Sequence, residues 1–167
     1  MIKKISKSIL FFLTITFVVL LVSCDPAKKY EKAEKDAINN YLNANSTQNF
    51  VQQPSGLYYL ETEAGTGRQP VALDTVYVVY TGKFLNGNVF DTNVGGNQLV
   101  FAIGQGEMLT GFEEGIMLMK EGGKATILVP SSLAYGTQGY YTIPGYTALL
   151  YDIELIKVAP GPNALKK

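Results

Sequence analysis

The feature that most constrains the fold is a series of alternating apolar and polar residues, punctuated by glycines, between Val76 and Val158. Alternation with a period of two places successive side chains on opposite faces of a β-strand. The apolar positions that share a face within their own segment are Val76, Val78 and Tyr80; Leu99, Phe101 and Ile103; Ala125, Ile127 and Val129; and Tyr151, Ile153 and Leu155. With a further strand expected at Leu57–Glu63, the pattern predicts a sheet with one face toward water.

One short helix is predicted within this part of the chain, from about Gly111 to Met119. Its apolar face is formed, at helical spacing, by Phe112, Ile116 and Met119. Gly115 would let that face approach a neighbour closely, and Gly122 is suited to end the helix. Because a short helix with one apolar side must lie on other apolar groups, we expect it to pack on the inward face of the strands.

Polar residues near the start of this helix have two interpretations. Thr110 and Glu113 have the spacing of a capping box, in which a hydroxyl and a carboxylate each satisfy a free backbone N–H. Glu113 and Glu114 resemble a pair of catalytic carboxylates, but adjacent helical positions do not face each other. The spacing therefore predicts a capped helix start rather than acid–base catalysis.

The N-terminus has the features of an export signal. Three lysines in the first seven residues precede an apolar run from Ile9 to Val22, which is short for a membrane span and typical of a signal segment. The run ends in Leu-Val-Ser-Cys, which resembles the lipoprotein box of bacteria. We expect a signal peptide over residues 1–23 and a lipidated Cys24 that anchors the chain to a membrane. An uncleaved anchor and an ordinary secretory signal are the alternatives.

Residues 24–55 are predicted to connect this anchor to the folded domain. From Lys28 to about Asn45 the chain is polar, but a few residues recur at three- and four-residue steps and share one helical face. They are Tyr30, Ala33, Ala37, Ile38, Tyr41 and Leu42. The stripe is narrow, which favours a solvated spacer helix over a helix that packs on the domain or on a second copy. Residues 45–49 and 52–56, rich in Asn, Gln and Ser, indicate a linker.

Composition excludes several kinds of site. The chain has no histidine, and its single cysteine is Cys24. Ser-His-Asp and Cys-His catalysis are therefore excluded, as is a zinc site of thiolates or imidazoles, and no cofactor is expected. Cleavage after Ser23 would remove three of the 14 basic side chains and leave 11 against 14 acidic ones. Without a basic stripe, a nucleic-acid partner is not expected.

Several motifs follow one another in a fixed order along the β-rich stretch. They are Val-Tyr-Val-Val-Tyr-Thr-Gly at 76–82, Phe-Asp at 90–91, Phe-Ala-Ile-Gly at 101–104, Met-Leu-Thr-Gly-Phe-Glu-Glu-Gly at 108–115, Leu-Ala-Tyr-Gly at 133–136 and Leu-Leu-Tyr-Asp-Ile-Glu-Leu at 149–155. The set resembles the FKBP-type peptidyl-prolyl cis/trans isomerases over about half the chain. The resemblance implies an α+β fold over residues 56–158, a curved antiparallel β-sheet half-wrapped around one short α-helix, with a flexible tail at 159–167.

The same resemblance implies a substrate cleft with apolar walls. The aromatic wall residues would be Tyr80, Phe90, Phe101, Phe112 and Tyr151, and the aliphatic ones Met108, Leu109 and Ile143. Phe112 would form the floor beneath a proline ring. Leu99 stands where the family usually has an aromatic residue.

A few polar groups would complete the implied cleft. The Tyr135 hydroxyl and the Leu109 backbone N–H would donate hydrogen bonds to substrate carbonyls. Asp91 would lie beside Tyr80 at the cleft edge, and the loop of residues 131–147 would overhang the site. Tyr80, Phe90, Asp91 and Tyr135 are accordingly the candidate catalytic residues, and no metal ligand is expected.

The implied activity is cis/trans isomerisation of X–Pro bonds in proteins outside the cytoplasm. Proline-containing polypeptides would be substrates, and macrolides would be inhibitors. A non-catalytic peptide-binding or chaperone lipoprotein that uses the same groove is the alternative. A structural or nutrient-binding surface lipoprotein would have polar residues at several cleft positions, and this chain has few. All three interpretations place the protein in the cell envelope, where the lipid on Cys24 anchors it to a membrane.

Overall fold

The computed structural model describes residues 26–161, so the predicted signal peptide, Cys24 and residues 162–167 of the predicted tail lie outside the described residues. The prediction that the flexible tail begins at residue 159 is wrong, because Ala159 pairs with Thr75 in the sheet and the buried Gly161 donates its N–H to Asp74 Oδ1. In chain order the elements are α1 (Pro26–Ala44), β1 (Val51–Gln52), β2 (Tyr58–Glu63), β3 (Thr75–Phe84), β4 (Val89–Thr92), β5 (Leu99–Ala102), α2 (Thr110–Leu118), β6 (Lys124–Val129), a 3₁₀-helix (Ser131–Leu133) and β7 (Leu149–Ala159). The alternation and the helical stripe correctly predicted β2, β3, β5, β6, β7 and α2, but they predicted neither β1 nor β4. No helix in residues 26–161 is long and apolar enough to cross a membrane.

Seven strands of the described chain form one antiparallel sheet, in the order β1-β2-β6-β7-β3-β4, with β5 also paired to β3. β7 pairs with β3 along its whole length, from Thr75 opposite Ala159 to Phe84 opposite Leu149. On its other edge, β3 pairs first with β5 and then with β4. The centre of the sheet is therefore β3 and β7, which bring Tyr80 and Tyr151 onto neighbouring strands. This open antiparallel sheet with one domain helix confirms the predicted FKBP-like fold class.

One face of the sheet, here called the α2 face, carries Ile127, Tyr151 and Ile153 and packs on α2. The α2 residues buried against it are Phe112, Ile116 and, directly after the helix, Met119. Gly115 stands where a β-carbon would come within 2.8 Å of Ile127 Cδ1. The helix can approach the sheet this closely because that position has no side chain. Each large apolar side chain buried here contributes about 1.5–3 kcal/mol relative to exposure.

The opposite face, here called the α1 face, carries Leu128 and Leu150. In a strand, neighbouring residues point to opposite faces, so these leucines face away from α2. α1 covers them with Ile38, which is 6% exposed, and with the half-buried Tyr41 and Leu42. From Ala33 onward the chain belongs to the same compact unit as the sheet. Packing on the domain, the less favoured of the two interpretations, is thus the one that describes this part of α1.

The predicted capping box at the start of α2 is wrong. Leu109 is the N-cap, and no side chain caps the helix. Thr110 is already the first helical residue, so its hydroxyl cannot fold back onto the helix as an N-cap side chain does. Glu113 instead accepts a hydrogen bond from the backbone N–H of Gly104, 3.0 Å away. That bond ties the loop before α2 to the first turn of the helix.

The end of α2 also differs from the prediction. The helix ends at Leu118 with Met119 as its C-cap, so Gly122 lies in the turn that follows it. Gly122 has φ +82 and donates its N–H to the carbonyl of Leu155, 2.7 Å away. This glycine therefore links the turn to β7 rather than ending the helix.

Candidate active site

A cleft with a volume of about 190 Å³ opens where the sheet meets the start of α2. Its walls come from four strands, from the N-terminal end of α2 and from the loop after β6. The lining residues are Tyr80, Asp91, Leu99, Met108, Leu109, Phe112, Tyr135 and Tyr151. Most of this surface is aromatic or aliphatic, and its polar side-chain groups are three tyrosine hydroxyls and one carboxylate. Among the described residues, no three His, Cys, Asp or Glu side chains are grouped as metal ligands.

Phe112 is the hub of the aromatic side chains and is only 3% exposed. Its ring centre lies 5.1 Å from that of Tyr151 and 5.5 Å from that of Tyr80, both in edge-to-face geometry. Phe101 lies behind it, with the ring centres 6.3 Å apart. Aromatic pairs in such arrangements contribute about 0.5–1.5 kcal/mol beyond their burial. The rings thus hold one another in place, and Phe112 forms a rigid apolar floor.

Asp91 lies beside Tyr80, as the resemblance implies. The Tyr80 hydroxyl donates a hydrogen bond to Asp91 Oδ2 over 2.6 Å. A hydrogen bond to an ionised acceptor is stronger than a neutral one, and this bond joins β3 to β4 across the cleft edge. The contact therefore fixes both the tyrosine ring and the carboxylate.

Asn93 also positions Tyr80, and the sequence reasoning missed it. The Asn93 side-chain oxygen accepts the Tyr80 backbone N–H at 2.7 Å, and its amide nitrogen donates to the Val78 carbonyl at 3.0 Å. An Asn two residues after a strand's Phe-Asp pair reads as ordinary turn chemistry, since Asn is common in turns. Sequence alone carried no signal that its side chain would return to β3.

A β-bulge and a nearby glycine determine the position of the Phe90 side chain. The pairing of β3 with β4 shifts between Gly82 and Lys83, which face Asp91 and Val89 and leave Phe90 as the extra residue. A β-carbon on Gly82 would lie 2.6 Å from the end of the Phe90 ring. The glycine thus makes room for this ring, which packs 5.7 Å from that of Tyr151.

Tyr135 enters the cleft from the loop that follows the 3₁₀-helix. Its ring stacks on that of Tyr140, with the centres 5.1 Å apart and the planes 7° from parallel. Tyr140 in turn exchanges backbone hydrogen bonds of 2.8 Å with Ile143 in both directions. The overhanging loop is therefore internally braced, and Tyr135 is held on its outer side by the Tyr140 ring.

Burial keeps the cleft hydroxyls protonated. It is the main reason that the pKa of Tyr80 is raised, followed by the hydrogen bond to Asp91. Burial also raises the pKa of Tyr151, with further increases from the neighbouring Tyr135, Tyr80 and Asp91 groups. The pKa of Tyr135 is raised chiefly by burial and then by Tyr140. All three side chains are thus hydrogen-bond donors throughout the physiological pH range.

Leu109 contributes both a side chain and a backbone donor. Its carbonyl accepts the N–H groups of Phe112 and Glu113, each at 3.0 Å, so it opens the first turn of α2. Within residues 26–161, no hydrogen-bond acceptor pairs with the Leu109 N–H. This donor, at the edge of an apolar cleft, is therefore available to a ligand carbonyl.

The structure brings seven of the ten predicted site residues together in the cleft lining. Phe90, Phe101 and Ile143 are not among the lining residues. Phe101 and Ile143 are buried in the core of the α2 face, and the half-buried Phe90 packs against that core. Leu99 does line the cleft, although it was not predicted as a site residue. The sequence signal for Leu99 was its position two residues before Phe101, which places both side chains on the same face of the strand.

Comparison with known proteins agrees with this geometry. The model of the FKBP-type peptidyl-prolyl cis-trans isomerase family matches residues 66–156. The chain is 40% identical to the FKBP-type peptidyl-prolyl cis-trans isomerase FkpA of Aeromonas hydrophila over 147 residues, which is 81% of this chain and 54% of the relative. It is 37% identical to FkpA of Escherichia coli K12 over 141 residues, 80% of this chain and 52% of that protein. The chain thus spans about half the length of these curated relatives.

Solved structures show the same likeness. A peptidyl-prolyl cis-trans isomerase from Pseudomonas syringae superposes with a TM-score of 0.71 at 27% identity, covering 83% of this chain and 99% of that one. FkpA from Escherichia coli superposes with a TM-score of 0.68 at 31% identity, covering 95% of this chain and 76% of that one. The family match, the shared fold and the aromatic cleft converge: the chain belongs to the FKBP-type peptidyl-prolyl cis-trans isomerase family.

Proposed function

We propose that this chain catalyses cis/trans isomerisation of X–Pro bonds in polypeptides outside the cytoplasm and so assists their folding. The observation that carries the proposal is the cleft, which combines an aromatic floor with a few fixed hydroxyls. Macrolides are further ligands of the same cleft, because they too present a large apolar surface with carbonyl acceptors.

The chemistry requires little more than such a cleft. Rotation about the amide has a barrier of about 18–20 kcal/mol, because the planar form is stabilised by resonance. In the twisted transition state that resonance is lost and the carbonyl is less polarised. An apolar site with little water therefore stabilises the twisted amide more than the planar one. Each increment of about 1.4 kcal/mol in this preference gives a tenfold rate increase.

Each part of the cleft has a role in this scheme. Phe112 supports the proline ring, and Tyr80 and Tyr151 enclose it. The Tyr135 hydroxyl and the Leu109 N–H donate to carbonyls of the substrate backbone, while Asp91 fixes the orientation of Tyr80. Phe90, Phe101 and Ile143 support the walls from behind.

A prolyl isomerisation assay on the purified full chain tests this function directly. We expect faster conversion of an X-Pro peptide from cis to trans, with the rate increasing in proportion to protein concentration. The alternative is a peptide-binding chaperone that uses the same cleft. It predicts saturable binding of proline-containing peptides with no change in the isomerisation rate, and that result would reject catalysis.

We also propose that the chain is a lipoprotein of the cell envelope. The lipoprotein box that ends at Cys24 supports this, because the sole cysteine stands at the position that the processing chemistry requires. Several acyl chains on one residue anchor a protein stably, since each buried CH₂ contributes about 0.8 kcal/mol. In this organisation, residues 1–23 are removed, residues 24–55 lead from the anchor into the domain, and residues 56–158 form the isomerase domain. The tail begins after Gly161 and not at Ala159, because Ala159 and Gly161 still bond to the domain.

Substitution of Cys24 separates the anchoring proposal from the catalytic one. Cys24→Ala should abolish incorporation of a labelled fatty acid and should leave the isomerase activity of the chain unchanged. Fractionation of membranes gives a second readout, because the variant should no longer be lipid-anchored. Fatty-acid labelling that persists in the variant would exclude Cys24 as the lipidated residue.

A further inference from the structure

A carboxylate of α1 reaches the loop that carries Tyr135. Glu34 lies one turn before Ile38, the buried residue that seats α1 on the sheet. Its Oε1 accepts the backbone N–H of Ser131 at 2.6 Å, and its Oε2 accepts the Ser131 hydroxyl at 2.7 Å. Both donors belong to one residue that is only 5% exposed. Glu34 thus satisfies two polar groups that would otherwise be buried without partners.

Ser131 in turn holds the backbone on both sides of Tyr135. Its carbonyl accepts the N–H of Ala134 at 2.9 Å and that of Gly136 at 2.8 Å. The path from α1 to the cleft therefore has three short steps: Glu34 to Ser131, Ser131 to the two residues that flank Tyr135, and Tyr135 into the lining. The first two steps are hydrogen bonds, and peptide bonds then join Ala134 and Gly136 to Tyr135, whose side chain lines the cleft.

We propose that Glu34 is a positioning residue for the cleft, which acts by holding the 3₁₀-helix and thereby the hydroxyl of Tyr135. The inference rests on the proposed isomerase function, because Tyr135 matters to the reaction only if it donates to substrate. In this arrangement α1 does more than cover the α1 face. It sets the conformation of a loop that contributes to the active site on the other face of the sheet.

Removal of the carboxylate has a predictable local effect. In Glu34→Ala, the N–H and hydroxyl of Ser131 lose their acceptors, and a buried donor without a partner favours opening of the segment toward water. Glu34→Gln keeps both contacts. Its amide oxygen can accept the Ser131 N–H, and its amide nitrogen can donate to the hydroxyl oxygen, which rotates to accept. The pair of variants thus separates the loss of hydrogen bonds from the loss of charge.

The deciding experiment is a double-mutant cycle in the full chain with Tyr135→Phe. We expect Glu34→Ala to lower kcat/KM about fivefold in the natural chain and by less than about twofold in the Tyr135→Phe background, because the hydroxyl it positions is then absent. Glu34→Gln should recover most of the activity. Equal effects of Glu34→Ala in both backgrounds would overturn the proposal, since they would show a purely structural role.

Amide hydrogen exchange gives a readout that does not depend on activity. The Ala134 and Gly136 amides should exchange faster in Glu34→Ala and at the natural rate in Glu34→Gln. Glu31→Ala, which removes an exposed carboxylate of the same helix, is the matched control and should change neither exchange nor activity. If the natural chain is inactive, the proposed function fails while the exchange result still stands. Unchanged exchange at both amides in Glu34→Ala would reject the positioning role itself.

Discussion

The two faces of the sheet bury apolar residues for different purposes. On the α2 face, a short helix brings Phe112 against the rings of Tyr80 and Tyr151, and the hydroxyl ends of the tyrosines remain at an open cleft. On the α1 face, a longer helix lies on Leu128 and Leu150, whose aliphatic side chains carry no polar group. The difference indicates that the α2 face combines stability with recognition, whereas the apolar contacts of the α1 face contribute stability and α1 reaches the cleft only through Glu34. Substitutions on the two faces should therefore separate in their effects.

The largest effect is expected from truncation of the central side chain on each face. Phe112→Ala should lower the free energy of unfolding by about 3–5 kcal/mol and should also abolish most isomerase activity, because the floor of the cleft is lost. Leu128→Ala should lower stability by about 2–5 kcal/mol, with kcat/KM per folded molecule unchanged as long as Glu34 keeps its contact with Ser131. Urea unfolding and the prolyl assay measure both quantities. Loss of activity in folded Leu128→Ala would break the comparison.

A smaller effect on stability is expected from truncation of Ile38, the buried residue through which α1 packs on the sheet. Ile38→Ala should lower the free energy of unfolding by about 2 kcal/mol, because it removes the buried contact with Leu128 and Leu150. Asn39→Ala, the neighbouring exposed position, should change it by no more than about 0.5 kcal/mol. Chemical denaturation of the two variants checks the difference. If they were equally stable, α1 would contribute nothing through its packing.

A hydroxyl deletion on each face gives a sharper contrast. Tyr135→Phe should reduce kcat/KM by a factor that corresponds to about 0.5–1.5 kcal/mol, since one substrate hydrogen bond is lost while the ring is kept. Its stability should change little. Tyr58→Phe makes the same chemical change beside the α1 face and should leave kcat/KM unaltered. A similar loss of activity in both variants would mean that the hydroxyl of Tyr135 has no special role.

The smallest effect is expected from pH. Activity should vary by less than about twofold between about pH 6 and 9, because the cleft has no histidine and its tyrosines keep their protons. In the folded state the pKa values of Tyr80, Tyr135 and Tyr151 are raised above the usual 10.0. Their contribution to stability is therefore complete below that pH and is lost as the pH rises above it. A pH–rate profile with an inflection near 7 would contradict this mechanism.

Much of the α2 face could be predicted from sequence, because its signals are local. Alternation placed Ile127, Tyr151 and Ile153 on one face, and helical spacing placed Phe112 and Ile116 opposite them. Most of the cleft lining followed from the ordered family motifs. The capping box failed because the same Thr-x-x-Glu spacing fits both an N-cap and a first helical residue. Which one occurs depends on Gly104, a tertiary partner that no local pattern reveals.

The packing on the α1 face was harder to predict, since α1 and the two strands that it covers, β6 and β7, are far apart in sequence. Alternation predicts that the side chains at positions 128 and 150 face the solvent. Leucines at these positions were the available signal that another element covers this face. Ile38 belongs to a stripe too narrow to distinguish a spacer from a packed helix. The contact of Glu34 with Ser131 depends on the register of α1 on the sheet. That register is set by the assembled surface rather than by either segment.

The order of strands has a consequence for how the chain folds. β7 is the last of the described strands to be synthesised, yet it lies between β6 and β3 at the centre of the sheet. Until residues 149–159 have been made, the first half of the domain has no partner for the inner edge of β3. Pairings between such distant segments form slowly, because a long loop must close first. Folding should therefore be a late, concerted event, and a chain truncated before β7 should remain a substrate for chaperones and proteases.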